Sequence, residues 1–177
     1  MTTAAGLAWA DEMRLGLRGL VRRVWAPRGV KIRQPQVLTY VWRYLALAVN
    51  GLTGTLRWTW TTSMKKEAIA TVVSEWHGAG LRAVVWDGAS SHRARLVREI
   101  GLPLITQPPA APELNRAERG FEELRRAVEG RTYATIEAKM AVVEHELQAL
   151  AADPDRLRRL TGWAWIADAL TPFMVNS

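Results

Sequence analysis

The feature that most constrains this chain is the run Leu81, Arg82, Ala83, Val84, Val85, Trp86, which ends on the acid Asp87. A short, nearly continuous apolar run of this kind is the pattern of a strand buried on both faces of a sheet. Such a strand needs helices above and below it, and its C-terminal tip lies where ligands collect in open α/β sheets. A second short run, Leu102 to Thr106, leads into a connector with Pro108, Pro109 and Pro112. Proline fixes its own φ and restricts the residue before it, so the connector can hold the following helix at a set angle. That helix is predicted to start at Asn115, a good N-cap, with Glu118 in its first turn. Asn115 and Glu118 also have the spacing of a capping box, a purely structural use of the acid.

The rest of the chain reads in the same way. Leu7 to Ala10 predicts a short first strand closed by Asp11 and Glu12. Val37 to Asn50 alternates, Gly51 to Gly54 supplies turn residues, and Thr55 to Thr61 returns, which predicts a hairpin with Trp58 and Trp60 on one face. Nine tryptophans suit core packing better than stacking on bases. Met64, Ala68, Ile69, Val72, Val73 and Trp76 repeat at three and four, so an amphipathic helix is expected, capped by Thr62 or Ser63 and stopped by Gly78 to Gly80. Ser90 or Ser91 is expected to cap a short helix through Arg98 that Gly101 ends, and Pro103 suits an edge or the start of the next strand. In the Glu118 helix, Phe121, Leu124 and Val128 point inward, and Glu122 lies one turn on as an alternative third acid. A helix over Ile136 to Leu150, another from Asp153-Pro154 to Gly162, and a last short one within WAWIADAL complete the pattern.

Composition narrows the chemistry. The 177 residues suffice for one domain with a full core, and 49% hydrophobic against 23% charged residues marks a globular chain. A net charge of +7 favours a polyanionic partner, nucleic acid first. With no cysteine, thiolate chemistry and cysteine metal sites are excluded; with only His77, His92 and His145 a histidine-built centre is not expected, and carboxylates remain as the available ligands. No stretch reads as a membrane span or a signal peptide, so a cytoplasmic, nucleoid-associated protein is expected.

The segments WDGASSH and PPAAPELNRAERGFEELRR resemble the second and third catalytic blocks of DDE transposases of the mariner-like superfamily, in its bacterial insertion-sequence branch. In that branch an Asp followed five residues on by His precedes a Pro-x-x-Pro-Glu-Leu-Asn-x-x-Glu block. Asp87, His92, Pro109, Pro112, Glu113, Leu114, Asn115 and Glu118 fall in that order. The family's first acid stands in an Asp-Glu pair before a basic stretch and a Trp-Ala-x-x-Gly turn, here Asp11-Glu12 and Trp25, Ala26, Gly29. Asp11 maps onto that first acid, with Glu12 as the alternative.

The resemblance implies an α/β ribonuclease H-like fold with a mixed five-stranded sheet, flanking helices and extra C-terminal helices. It divides residues 1–177, as one catalytic domain, into a β-meander with the first acid (1–62), an αβαβα core (63–130) and C-terminal helices (131–177). Asp11, Asp87 and Glu118 are then the catalytic acids, ligands to Mg²⁺ or Mn²⁺ and in all to two ions, since hard carboxylate oxygens match those cations. His92 would orient the scissile phosphate, contact a neighbouring acid or cap the short helix; Asn115 would touch metal-bound water besides capping. Arg93, Arg95, Arg98, Arg119, Arg125 and Arg126 would meet DNA phosphates. DNA, as transposon ends and target, is the implied partner, in a synaptic homodimer. Relatives carry helix-turn-helix domains ahead of the core; none is read here, so a separate upstream protein of that type is expected. A DNA-binding remnant without cleavage, and a nuclease for RNA–DNA hybrids or branched DNA, are the alternative readings.

Overall fold

The computed structural model describes residues 6–18, 25–33, 37–108 and 111–164. Five strands form one sheet: β1 (Leu7–Gly16), β2 (Trp42–Asn50), β3 (Thr55–Thr61), β4 (Ala83–Trp86) and β5 (Leu104–Thr106). Among the described residues the helices are α1 (Lys66–Gly78), α2 (Arg95–Arg98), α3 (Ala117–Val128), α4 (Ile136–Ala152) and α5 (Pro154–Thr161). The strand order is β3-β2-β1-β4-β5. β1 to β3 form an antiparallel meander, and β4 and β5 continue it in parallel. This is the expected mixed five-stranded sheet.

Two layers of helix cover it. On one face Leu45, Leu47 and Val49 of β2, with Met13 and Leu15 of β1, pack on Phe121 and Leu124 of α3 and on Val143, Leu147 and Leu150 of α4. On the other face Ala8, Ala10, Ala46 and Ala48 leave room for Ile69, Val72, Val73 and Trp76 of α1 and for Trp86. Each fully buried large side chain contributes roughly 1.5–3 kcal/mol of burial, so both layers are firmly seated. Gly120 matters to the first layer: a Cβ there would stand 2.8 Å from Leu47 Cδ2. Its absence lets α3 lie close on β2, which fixes where the first turn of α3 points.

The first strand is longer than the run Leu7 to Ala10 suggests. It continues through Asp11 and Glu12 to Gly16 because β2 pairs with it from Trp9↔Val49 to Gly16↔Trp42. The acids therefore sit within a strand and not at its end. Its parallel partner stops earlier, at Trp9↔Val85, so β1 overhangs β4. β3 keeps the expected Thr55–Thr61, while three strands are shorter than read: pairing in β2 begins at Trp42 instead of Val37, β4 keeps Ala83–Trp86 of Leu81–Asp87, and β5 starts after Pro103. Residues just before the starts still make single backbone bonds across the sheet: the Arg82 N–H donates to the Gly6 carbonyl, and the Val41 and Pro103 carbonyls accept from the Leu17 and Val84 N–H groups.

Caps differ as well. α1 is preceded by Lys65 with no side-chain cap, while Ser63 Oγ accepts the Lys65 N–H in a turn just before it. Turns occupy the segment after Ser90 and Ser91, and α2 begins only at Arg95 with no serine cap. Asp153 caps α5 as expected, accepting the Arg156 N–H at 2.8 Å, with Pro154 in the first turn. Trp58 and Trp60 do share a face, and both indole N–H groups donate to Glu144 of α4, at 3.0 and 2.9 Å. The expected tail helix lies, beyond Ala164, outside the described residues. No described helix is long and apolar enough to cross a membrane.

Candidate active site

Strand alternation separates the two acids of β1. Asp11 shares a face with Trp9 and Met13, on the side of α3, and Glu12 shares the opposite face with Ala8 and Ala10. Carrying the register Trp9↔Val85 forward two residues sets Asp11 beside Asp87, which follows the last residue of β4. Glu118, in the first turn of α3, comes in from above. Asp11, Asp87 and Glu118 line one open cleft of about 630 Å³, together with Arg93, Gln107, Asn115 and the loop at Gly88.

Asn115 ties this corner together. Its Nδ2 donates to the Ala10 carbonyl at 3.0 Å and to Asp11 Oδ2 at 3.1 Å, while its Oδ1 accepts the Ala117 N–H at 3.1 Å. One buried amide thus starts α3 and anchors it to β1. The expected capping box does not form: the N-cap position falls to Arg116, and Glu118 turns outward to meet Arg125 Nη1 at 3.4 Å. Its carboxylate is therefore not consumed by the helix end. Burial raises the Asp11 carboxyl to about 7 against an opposing hydrogen bond from the Glu12 N–H, and the charges of Glu12, Glu118 and Asp87 add to the rise.

Behind the cleft lies a pairing that motif reading alone does not give. His92, 2% exposed, directs Nε2 to Glu12 Oε1 at 2.8 Å and Nδ1 to Asp87 Oδ1 at 2.7 Å. Its ring stacks on Trp86 at 4.1 Å. Burial opposes charge on the imidazole, but the hydrogen bond to Glu12 and the charges of Glu12 and Asp87 outweigh it and raise its pKa above the usual 6.5. Both nitrogens face carboxylates, so the doubly protonated ring satisfies both. Asp87 Oδ1 also accepts the Ala89 N–H at 3.0 Å. Glu12, the alternative first acid, is thus engaged by His92 on the far face of β1.

The arginines divide. Arg93 lines the cleft, and Arg119 lines the groove beside it with Glu113, Glu118, Glu122 and Trp163. Arg119 is paired with Glu122 at 2.8 Å, Arg125 with Glu118, and Arg126 with Glu123. Arg95 bonds Glu99 at 2.6 Å on the exposed side of α2, away from the cleft, and Arg98 follows one turn later. Glu122 does not line the cleft that holds the other acids.

Three carboxylates make a donor set of hard oxygens, suited to Mg²⁺ or Mn²⁺. A partly buried Asp11 crowded by like charges is stabilised by a cation, which is what such a group fits. Among the described residues no three His, Asp or Glu side chains stand close enough to enclose an ion as they are arranged. The acids form an open frame, in keeping with ions that retain water and substrate oxygens in their coordination shell.

Residues 6–138 match the model of a family described as DDE superfamily endonuclease. The chain belongs to that family. No curated protein matches it. Among solved structures, the Mos1 mariner paired end complex with Mn is similar over 95% of this chain and 57% of the other, at 12% identity and a TM-score of 0.66. The Mos1 strand transfer complex gives 12% identity and a TM-score of 0.64 over 89% of this chain and 54% of the other. The catalytic domain of Mos1 mariner transposase aligns over 90% of this chain and 80% of the other, at 11% identity and a TM-score of 0.59. The chain thus spans a little over half the length of the transposase in those complexes and shares the fold of its catalytic domain.

Proposed function

We propose that this chain is the catalytic domain of a DNA transposase, cutting and joining DNA strands with the help of divalent metal at Asp11, Asp87 and Glu118. The observation that supports the reading is that these acids, from three separate elements, line one open cleft of a DDE-family fold. Mg²⁺ or Mn²⁺, two ions in this reading, would activate water or a 3′-hydroxyl and steady the leaving oxygen. The chain's own residues set the stage. Asn115 orients Asp11 through its Oδ2, and His92 holds Asp87 through Oδ1, so Oδ2 of Asp87 takes no hydrogen bond from a described residue. Glu12 holds His92 from behind. Arg93 reaches the incoming phosphate from the cleft wall.

In the same reading residues 1–177 form a single catalytic domain, of insertion-sequence type. It acts in a synaptic homodimer, and a helix-turn-helix segment outside this chain recognises the transposon ends. The test is cleavage of end-bearing DNA in Mn²⁺ by purified protein. Asp87→Asn and Glu118→Gln are expected to abolish nicking and strand transfer while leaving the melting profile folded. Cleavage undiminished in Asp87→Asn refutes the assignment.

A further inference from the structure

Along the overhang of β1 beyond β4 a second cavity, of about 260 Å³, opens between Glu12–Gly16, the C-terminal end of α3 and Lys139. It is linked to the acidic cleft through Arg125, which lines it and pairs with Glu118 of the cleft. Four further cations face it: Arg14, Arg18, Arg131 and Lys139. None of the four forms an ion pair with a described carboxylate. The acids on the wall are Glu12, which His92 holds, and Glu129.

Three of these cations are also held in place, while Arg131 stands exposed at the cavity's rim. The Arg14 guanidinium lies 4.2 Å over the Trp42 ring, and Arg18 lies 5.4 Å over Tyr40 and donates to its hydroxyl at 2.8 Å. Lys139 Nζ donates to the Gly16 carbonyl at 2.8 Å. An arginine stacked by its face keeps its N–H fork free at the edge, the geometry that matches phosphate oxygens. Crowding of unpaired positive charge beside a cavity favours a polyanion, and the neighbouring cleft says which one.

Asp11 and Arg14 stand on the same strand, three residues apart, so their side chains leave opposite faces of β1, and Arg14 lines the cavity at the open edge of the overhang. At about 3.3 Å per residue this places the Arg14 backbone roughly 10 Å along β1 from that of Asp11, close enough for one DNA strand to reach both. We propose that this cavity seats the DNA phosphodiester backbone on the same strand as, and a short way from, the phosphate held at the carboxylates, with Arg14 and Arg131 as its main contacts. The choice of DNA rests on the catalytic reading above.

The experiment measures binding of a duplex of arbitrary sequence by fluorescence anisotropy in EDTA across a range of salt. In EDTA the outcome does not depend on cleavage, so failure here and failure of the catalytic reading are told apart. Loss of two phosphate contacts in Arg14→Ala/Arg131→Ala is expected to flatten the slope of log K against log salt by roughly 1.8, and to weaken binding roughly ten-fold at low salt. Arg14→Lys/Arg131→Lys keeps the charges and most of the slope. Arg82→Ala, at the opposite end of the sheet beside Gly6, leaves it unchanged. An alanine pair that binds with the wild-type slope, or a change in oligomeric state without a change in slope, overturns the proposal.

Discussion

Replacing Asp11 by Asn is predicted to stabilise the metal-free protein and to remove its response to metal. Burial and three neighbouring acids raise the Asp11 carboxyl from 3.8 to about 7. At about 1.36 kcal/mol per pKa unit, the ionised side chain costs the fold up to about 4 kcal/mol, a ceiling because its partial exposure screens the charge. The amide carries no charge but has one acceptor where the carboxylate has two. Asp11 Oδ1 accepts from the Glu12 N–H at 2.8 Å and Oδ2 from Asn115, and one of these bonds is lost. That loss costs about 1–2 kcal/mol, leaving a net gain of about 1–3 kcal/mol. For a chain of this size the gain amounts to a rise of roughly 2–10 °C in Tm.

The sign depends on pH. The penalty is absent below the unfolded pKa of 3.8, grows as pH rises toward 7, and is complete at pH 8. Thermal melts at pH 8 should therefore rank Asp11→Asn above wild type in EDTA, and the advantage should vanish near pH 4. Saturating Mn²⁺ should reverse the order, since a ligand at a hundred times its Kd adds about 2.7 kcal/mol to the wild type alone. A variant less stable than wild type in EDTA at pH 8, or equal stabilisation of both by Mn²⁺, refutes the reasoning.

Other substitutions test the supports of the site. His92→Gln can keep only one of the two carboxylate contacts, and is expected to raise the Mn²⁺ concentration for half-maximal cleavage roughly ten-fold, in keeping with the loss of a group that orients a ligand. Titration of cleavage against Mn²⁺ reads this, and an unchanged midpoint counts against it. Glu144→Ala leaves two indole N–H groups without their acceptor and should cost about 1–3 kcal/mol in urea unfolding. Arg116 is fully buried over the Trp9 ring at 4.4 Å, its guanidinium nitrogens have no hydrogen-bond partner, and burial lowers its pKa to about 10. Arg116→Met should therefore raise stability by about 1–3 kcal/mol, and a loss of that size would show that the charge is compensated.

Much of this was legible in the residues because the signals were local. The run ending at Asp87, the helical repeat from Met64 to Trp76 and the Asp153-Pro154 start each declare themselves within a few residues. Cross-strand pairing decided what local runs left open. β1 reaches Gly16 because β2 offers it partners, and no apolar run marks that. The choice between Asp11 and Glu12 was open to a parity argument. Once the strand is known to run through both, Asp11 falls with Trp9 and Met13 and Glu12 with the alanines. The place of His92 between Glu12 and Asp87 depends on a turn after β4, and sequence spacing does not encode it. The same holds for the cations of the β1 overhang, which come from segments more than a hundred residues apart. Arginines clustered around α3, by contrast, read as DNA contacts although most are paired with glutamates there.

The most direct measurement is an anomalous difference map from crystals of the protein soaked in Mn²⁺. The account predicts a peak within bonding distance of both Asp11 and Asp87, on the side facing Glu118, that disappears in Asp87→Asn. Saturating Mn²⁺ with no peak between those carboxylates, or a peak that persists without Asp87, would contradict it.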